Sequence, residues 1–290
     1  MKNNTIKEKF MLGTAQFGSE YGISNSLGKT SKNDLYQIIE KLDLNHMRYL
    51  DTAAAYGNAE KRLGEFELSN WKVISKFNIN NDNKKNFNLK TFVKKSIDNL
   101  CINQLYGLLF HNVNDLLGSY GDNLYEQIVE LKENKIVNKI GVSIYNDECL
   151  EDLLRKYKID IIQCPISIID QRLLASNVLK NLKKQNIEIH ARSIFLQGLL
   201  TTKKINKLID KGLAELNINW NRWLKKNEIK ALDACINFVL NIEEVDKVIF
   251  GIETFNQLNE ILNFKKRDLP EISDDLRITD KKTLQPNLWN

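Results

Sequence analysis

A carboxylate, a phenol, an ammonium and an imidazole follow one another along the first 111 residues, each at or just past the end of a short apolar run. Asp51 lies near the end of MRYLDTA (47–53), Tyr56 just beyond it, Lys76 near the end of KVISKF (72–77), and His111 at the end of LYGLLFH (105–111). Groups of these kinds hold and pass protons. Taken singly, each has an ordinary explanation. An aspartate after a strand caps a helix or turn, a tyrosine packs, a lysine lies at the surface, and a histidine at a strand end is structural. Lys76 is the hardest to set aside. It closes VIS in a run whose end should be partly buried, where a charge needs a partner. Asp51, on the neighbouring run, is the natural one.

The elements that would position these residues alternate in type. Short runs rich in Ile, Val, Leu and Phe occur at 10–15, 47–53, 72–77, 105–111, 138–143, 159–165, 187–193 and 246–251. Their brevity and apolar continuity suit strands buried on both faces of a parallel sheet. Helical periodicity follows each. SKNDLYQIIEKLDLN (31–45) opens on a Ser cap and sets Leu35, Ile38, Ile39 and Leu42 on one face. Similar patterns occupy 59–68, 89–101, 124–135, 148–158, 176–185, 228–240 and 255–267. No linker-like stretch divides the chain, and GxGxxG is absent after the first strand. We expect an α/β fold, a closed (β/α)₈ barrel forming one domain over 1–290, rather than an open doubly wound sheet. Active sites in such barrels collect at the C-terminal ends of the strands, where all four residues fall. The interval between Ser193 and Asp246 is long for one repeat and holds FLQGLL (195–200), a further periodic segment, Trp220 and Trp223. It reads either as an elaborated loop over the active face or as a packed extra helix.

Composition narrows the classes further. Hydrophobic residues make up 42% and charged residues 27% of the 290, ordinary for a globular chain with a good core. The net charge of +5 is spread along the chain, and its densest stretch, KKNFNLKTFVKK (84–95), reads as a solvated helix face rather than a nucleic-acid site. Cys101, Cys149, Cys164 and Cys235 form no CxxC and sit in apolar surroundings, so we expect reduced, buried thiols. Three histidines without HExxH give no zinc motif, and no metal site is expected. MKNNTIKEKF has no apolar signal region and no run of about 18 apolar residues appears, so a cytoplasmic location and no membrane partner are expected. Nothing in the sequence indicates an oligomeric state.

Several segments together resemble the aldo-keto reductase family. MLGTAQFG (11–18) is similar to its first strand and turn, and YLDTAAAYGNAEKRLGE (49–65) to its most telling motif. VISKF resembles the strand carrying the catalytic lysine, and LLFHN (108–112) the strand carrying the histidine. KIGVSIY (139–145), IIQCP (161–165) and ARSIFLQGLL (191–200) also look like family segments, so the likeness runs from about residue 10 to residue 265. The resemblance implies hydride transfer between a nicotinamide cofactor and a small carbonyl compound. Tyr56 would be the general acid, since an ordinary tyrosine with a pKa of about 10 suits a weak acid held near a carbonyl. Lys76 would stabilise the phenolate, Asp51 would hold Lys76 charged, and His111 would orient the carbonyl or share in proton relay. The carbonyl oxygen would lie between Tyr56 and His111 in an oxyanion-type site.

Cofactor contacts are carried over position by position. Gly13, Thr14 and Ala15 follow the first strand, and Asp51 serves both sets. Ser143 and Gln163 match the residues that hold the nicotinamide amide. Many members have Asn after that serine, where this chain has Ile144, and many place an aromatic ring against the nicotinamide, where this chain has Arg192. A guanidinium plane can also stack. Ser193, Gln197, Gly198 and Leu199 match the segment along the pyrophosphate. Past the eighth strand, Gly251, Glu253, Thr254, Gln257 and Glu260 would meet the adenosine. That segment, GIETFNQLNEIL (251–262), lacks Lys and Arg to grip a 2′-phosphate, while Glu253 could accept from a free ribose hydroxyl. The expected cofactor is NADP, with NAD close behind. Phe17, Tyr21, Trp220, Trp223 and the tail with Trp289 are candidate pocket walls, or else core. The ARSIFLQGLL-type segment resembles a bacterial subgroup linked to sugar and surface-glycan metabolism, which implies a sugar or sugar-derivative substrate. The alternative is a regulatory, cofactor-binding subunit on the same barrel, like the potassium-channel β subunits that resemble these reductases. The fold alone does not separate the two.

Overall fold

The computed structural model describes residues 2–79, 87–202 and 211–284. Part of the basic stretch at 84–95 and the tail carrying Trp289 lie outside the described residues. Eight parallel strands close into a barrel in sequence order, β1 pairing with β8. They are β1 (Phe10–Gly13), β2 (Tyr49–Asp51), β3 (Lys72–Phe77), β4 (Leu105–Phe110), β5 (Val137–Ser143), β6 (Ile161–Pro165), β7 (Glu188–Arg192) and β8 (Lys247–Gly251). Helices between them form the outer ring, including Lys32–Leu44, Leu89–Leu100, Gly121–Glu133, Ala231–Leu240 and Phe255–Leu262. The expectation of a closed (β/α)₈ barrel therefore stands. Several strands are shorter than the apolar runs that announce them, because the last residues of those runs turn into the loops of the active face.

The strands are apolar on both sides for a physical reason. Met11, Ile74, Leu109, Ile161 and Ile249 fill the barrel interior, while Leu12, Leu50, Val73, Leu108, Val142, Ile162, Ile189 and Val248 pack outward beneath the helices. Burying each such side chain is worth about 1.5–3 kcal/mol relative to exposure. Helix starts are fixed locally. Ser31 accepts from Asp34 N at 3.0 Å, Asn88 from Thr91 N at 2.9 Å and Thr254 from Gln257 N at 3.3 Å.

The interval before β8 contains the helix Lys211–Lys226. Trp220 and Trp223 stack at 5.6 Å and are buried in a second core with Leu196, Leu199 and Leu200. Trp220 Nε1 donates to the Leu200 carbonyl at 2.8 Å, so the helix fastens the loop after β7. Both readings of this interval hold: it is a packed helix, and its Asn221, Leu224 and Lys225 line the large cavity described below. The cysteines differ from expectation. Cys164 and Cys235 are buried, but Cys149 is half-buried and Cys101 is exposed, because its left-handed φ of 52° ends a helix at the surface. No helix among the described residues is long and apolar enough to cross a membrane.

Candidate active site

The turn after β2 brings Tyr56 back over the barrel. Thr52 N donates to the Ile74 carbonyl at 2.8 Å and Ala54 N to the Lys76 carbonyl at 3.2 Å, extending the sheet pairing into the loop. Tyr56 N then closes on the Ala53 carbonyl at 3.0 Å. Gly57 follows with φ +58°, and a Cβ there would lie 2.3 Å from the Gly18 carbonyl oxygen. A Cβ on Gly18 would meet the Tyr56 carbonyl oxygen at 1.6 Å. The two glycines thus permit a backbone contact that any side chain would forbid, and this contact sets Tyr56 against the loop after β1. Behind the turn, buried Glu60 accepts from Ser75 Oγ at 2.8 Å and ties the short helix Ala59–Leu63 to β3.

Lys76 is 1% exposed and Asp51 4%. The ammonium donates to Asp51 Oδ2 at 2.7 Å, to the Thr52 carbonyl at 3.0 Å and to Tyr56 Oη at 3.4 Å. Burial is the largest influence on Lys76 and alone would lower its pKa, but the Asp51 carboxylate and the Tyr56 hydroxyl together outweigh it, and the net shift is upward. Lys76 is therefore a fixed cation beneath the phenol. The other Asp51 oxygen accepts from Gln163 Nε2 at 2.7 Å, and Thr14 Oγ1 donates to the Asp51 carbonyl at 3.1 Å. His111 faces Tyr56 edge-on, with ring centroids 5.9 Å apart. Burial, and then the charge of Lys76, lower the His111 pKa to about 4, so the ring is neutral at pH 7. Its Nδ1 is buried without a partner among the described residues.

These residues open into one cavity of about 1040 Å³. That is slightly above the roughly 300–1,000 Å³ usual for small-ligand sites, so it is large for a single small substrate. Asp51, Tyr56 and His111 line it, as do Gly13, Thr14, Ala15, Ser143, Gln163, Arg192, Ser193, Gln197, Gly198, Gly251, Glu253, Gln257 and Glu260. Lys76 lies behind this lining, bonded to two of its members. Leu199 and Thr254 are not brought into the cavity. Leu199 is 3% exposed and packs in the second core, and Thr254 caps the helix after β8. Of the expected pocket walls, Tyr21 lines the cavity, whereas Phe17, Trp220 and Trp223 are core.

Several lining residues were not anticipated from sequence. Lys225 and Lys230 join Glu253, Gln257 and Glu260 in the lining, although they precede β8 and a search of the segment following β8 passes them by. Tyr145 also lines the cavity, its ring 4.4 Å from the Arg192 guanidinium. Among the described residues no group of three or more His, Cys, Asp or Glu could hold a metal ion.

The aldo/keto reductase family profile matches residues 9–276. The chain belongs to the aldo/keto reductase family. That makes it an oxidoreductase of a family whose members in general reduce small carbonyl compounds with a nicotinamide cofactor. Among solved structures, the chain is similar to an aldo-keto reductase from Bacillus halodurans in its holo form, at 16% identity and a TM-score of 0.70, over 90% of this chain and 88% of that one. It is also similar to a glycerol dehydrogenase from Gluconobacter oxydans, at 16% identity and a TM-score of 0.67, over 90% and 88% of the two chains. At that identity the likeness is one of fold. No curated protein sequence matches the chain.

Proposed function

We propose that this chain, working as one barrel domain over 1–290, reduces an aldehyde or ketone, of which a sugar or sugar derivative is the expected class, to an alcohol with NADPH or NADH. The observation that carries this reading is the placement of Lys76 Nζ, 2.7 Å from Asp51 Oδ2 and 3.4 Å from Tyr56 Oη, directly behind the cavity wall. A bound reduced nicotinamide supplies the hydride that adds to the carbonyl carbon. The Tyr56 hydroxyl gives its proton to the carbonyl oxygen, and the phenolate left behind is stabilised by the Lys76 ammonium, which Asp51 keeps charged and oriented. His111, neutral and with Nδ1 buried, is best served by carrying its proton on Nε2, from which it donates to the same oxygen.

The residues fit a nicotinamide dinucleotide. Gln163 gives its amide N–H to Asp51, leaving the amide oxygen to accept from a carboxamide, with Ser143 paired to it across β5 and β6. Ser193, Gln197 and Gly198 would offer a polar loop to the diphosphate, and Glu253, Gln257, Glu260, Lys225 and Lys230, which line the same cavity, are the residues we assign to the adenosine end. Lys225 and Lys230 suit a 2′-phosphate, while Glu253 suits a free ribose hydroxyl, so we expect both cofactors to bind. The test is oxidation of NADPH and NADH by a panel of aldehydes and sugars. Turnover that Lys76→Met abolishes is the expected result. Tight cofactor binding with no turnover of any carbonyl would instead favour a regulatory, cofactor-binding subunit.

A further inference from the structure

The charges at the catalytic end of the cavity do not cancel. Asp51 and Lys76 neutralise each other at 2.7 Å. His111 is neutral, its pKa held near 4. Tyr21, whose pKa is raised first by burial, remains a phenol. Arg192, at the C-terminal end of β7, is then left as the net charge. Its guanidinium stacks on the Tyr145 ring at 4.4 Å, and it donates to the Ile144 carbonyl at 3.1 Å and to Ser193 Oγ at 3.3 Å. Both acceptors are neutral. A guanidinium carries five N–H donors, so most remain without a partner among the described residues. No described carboxylate lies within 4.0 Å of it. Arg172 shows the contrast: it is paired with Asp170 through two bonds of 2.8 Å and uses a further N–H to hold the Tyr145 carbonyl at 3.2 Å, bracing the residue on which Arg192 stacks. Arg192 is also close enough to the chemistry that its charge acts on both His111 and Tyr21.

From this geometry we propose that the substrate is a carbonyl compound carrying an anionic group, a carboxylate or a phosphate, which Arg192 binds while the carbonyl oxygen lies between Tyr56 and His111. This rests on the carbonyl-reductase reading above and adds the substrate's charge to it. A half-buried cation braced on one face and short of acceptors is pre-organised for a planar carboxylate or a phosphate, which a guanidinium can grip through two parallel bonds. A neutral His111 neither competes for that anion nor repels a cation, so discrimination by charge falls to Arg192.

The test uses matched pairs: succinic semialdehyde against butanal for the carboxylate, and glyceraldehyde 3-phosphate against glyceraldehyde for the phosphate. The readout is the ratio of kcat/KM within each pair, for wild type, Arg192→Gln and Arg192→Lys. Losses common to both members cancel in that ratio. We expect wild type to favour the charged member of at least one pair by about tenfold or more, as one charge-assisted bidentate contact allows. Arg192→Gln should bring the ratio near one, and Arg192→Lys should restore part of it. The preference should shrink with added salt. Fluorescence titration of NADPH and NADH against the same variants separates the other role of this residue. A wild-type ratio near one in both pairs overturns the proposal, and so does a ratio that survives Arg192→Gln; a fall in cofactor affinity beside a surviving ratio would assign Arg192 to the cofactor. If cofactor binds and no aldehyde, charged or neutral, is reduced, the carbonyl-reductase reading itself fails and this proposal falls with it.

Discussion

A lysine at 1% exposure is tolerated in a barrel only if its charge is met on the spot, and Lys76 is met by Asp51, by a backbone carbonyl and by Tyr56. Removing one partner leaves the other charge buried and uncompensated, at about 3–5 kcal/mol. Lys76→Met and Asp51→Asn should each lower turnover strongly, and their combined effect should fall short of the sum because they act on one unit. A double-mutant cycle in kcat/KM with additive losses would show that they do not. His111 supplies a second test. Its folded pKa of about 4 lies below the ordinary 6.5, so between those values the unfolded chain takes up a proton that the fold refuses. Stability should therefore fall as pH drops from about 6.5 to about 4 and then level off, and His111→Gln should flatten that slope. Chemical denaturation at stepped pH measures it. At this scale much of the site was legible in the sequence, because a polar residue ending an apolar strand is conspicuous and the family motifs name its role. Gln163 donating to Asp51 was not, since nothing local links side chains 112 positions apart.

The loops after β1 and β7 meet over the cavity. Ser24 Oγ donates to the Gln197 carbonyl at 3.1 Å, and Gln197 Nε2 to Tyr21 Oη at 3.2 Å. Leu196, Gln197 and Gly198 take successive positive φ values of 46°, 52° and 86°, a left-handed turn that brings Gly198 against Ser24. A Cβ on Gly198 would lie 1.8 Å from Ser24 Oγ. Gly198→Ala should cost about 1–3 kcal/mol in urea denaturation and weaken cofactor binding as the two loops part. A variant as stable as wild type would show that the loops are not packed this way. The proposed adenosine end belongs to this scale too, because the charged residues assigned to it come from two parts of the chain. Glu253 follows β8, while Lys225 and Lys230 flank the junction before the helix Ala231–Leu240. We expect NADPH and NADH affinities within about tenfold, or ~1.4 kcal/mol, of each other. Glu253→Lys should favour NADPH, and Lys225→Ala with Lys230→Ala should favour NADH. A wild-type preference of a hundredfold in fluorescence titration would contradict this balance. The elements were readable from periodicity, yet which loops meet above the barrel is a property of closure, which no window of sequence contains. Helix Lys211–Lys226 shows the same limit: its periodicity was visible, but not that its buried tryptophans would hold Leu200 in place.

The barrel as a whole places the proposed chemistry at the C-terminal ends of its strands and a separate network of hydrogen-bonded charges towards the other end. At the N-terminal ends of the strands, Glu188 accepts from Tyr106 Oη at 2.8 Å and from His190 Nε2 at 3.2 Å, and pairs with Lys139. Burial would raise the Glu188 pKa, but bonds from His190, Lys139 and Tyr106 outweigh it and hold the carboxyl at about 2. Its contribution is thus complete above about pH 4.5 and is lost as pH falls towards 2. Glu188→Gln should cost about 1–3 kcal/mol near neutral pH, the usual penalty for weakening a hydrogen-bonded, half-buried charge, and should leave kcat near the wild-type value. This network was invisible in the sequence because its members are scattered first and middle residues of different strands, each unremarkable alone. At the opposite end, Tyr56 is the proposed proton donor. The most direct measurement is single-turnover oxidation of enzyme-bound NADPH by an aldehyde, comparing wild type with Tyr56→Phe and measuring cofactor affinity for both. The expected rate is lower by about 10²-fold or more in the variant, with cofactor affinity nearly unchanged. A Tyr56→Phe enzyme that reduces the aldehyde at close to the wild-type rate would show that Tyr56 is not the donor.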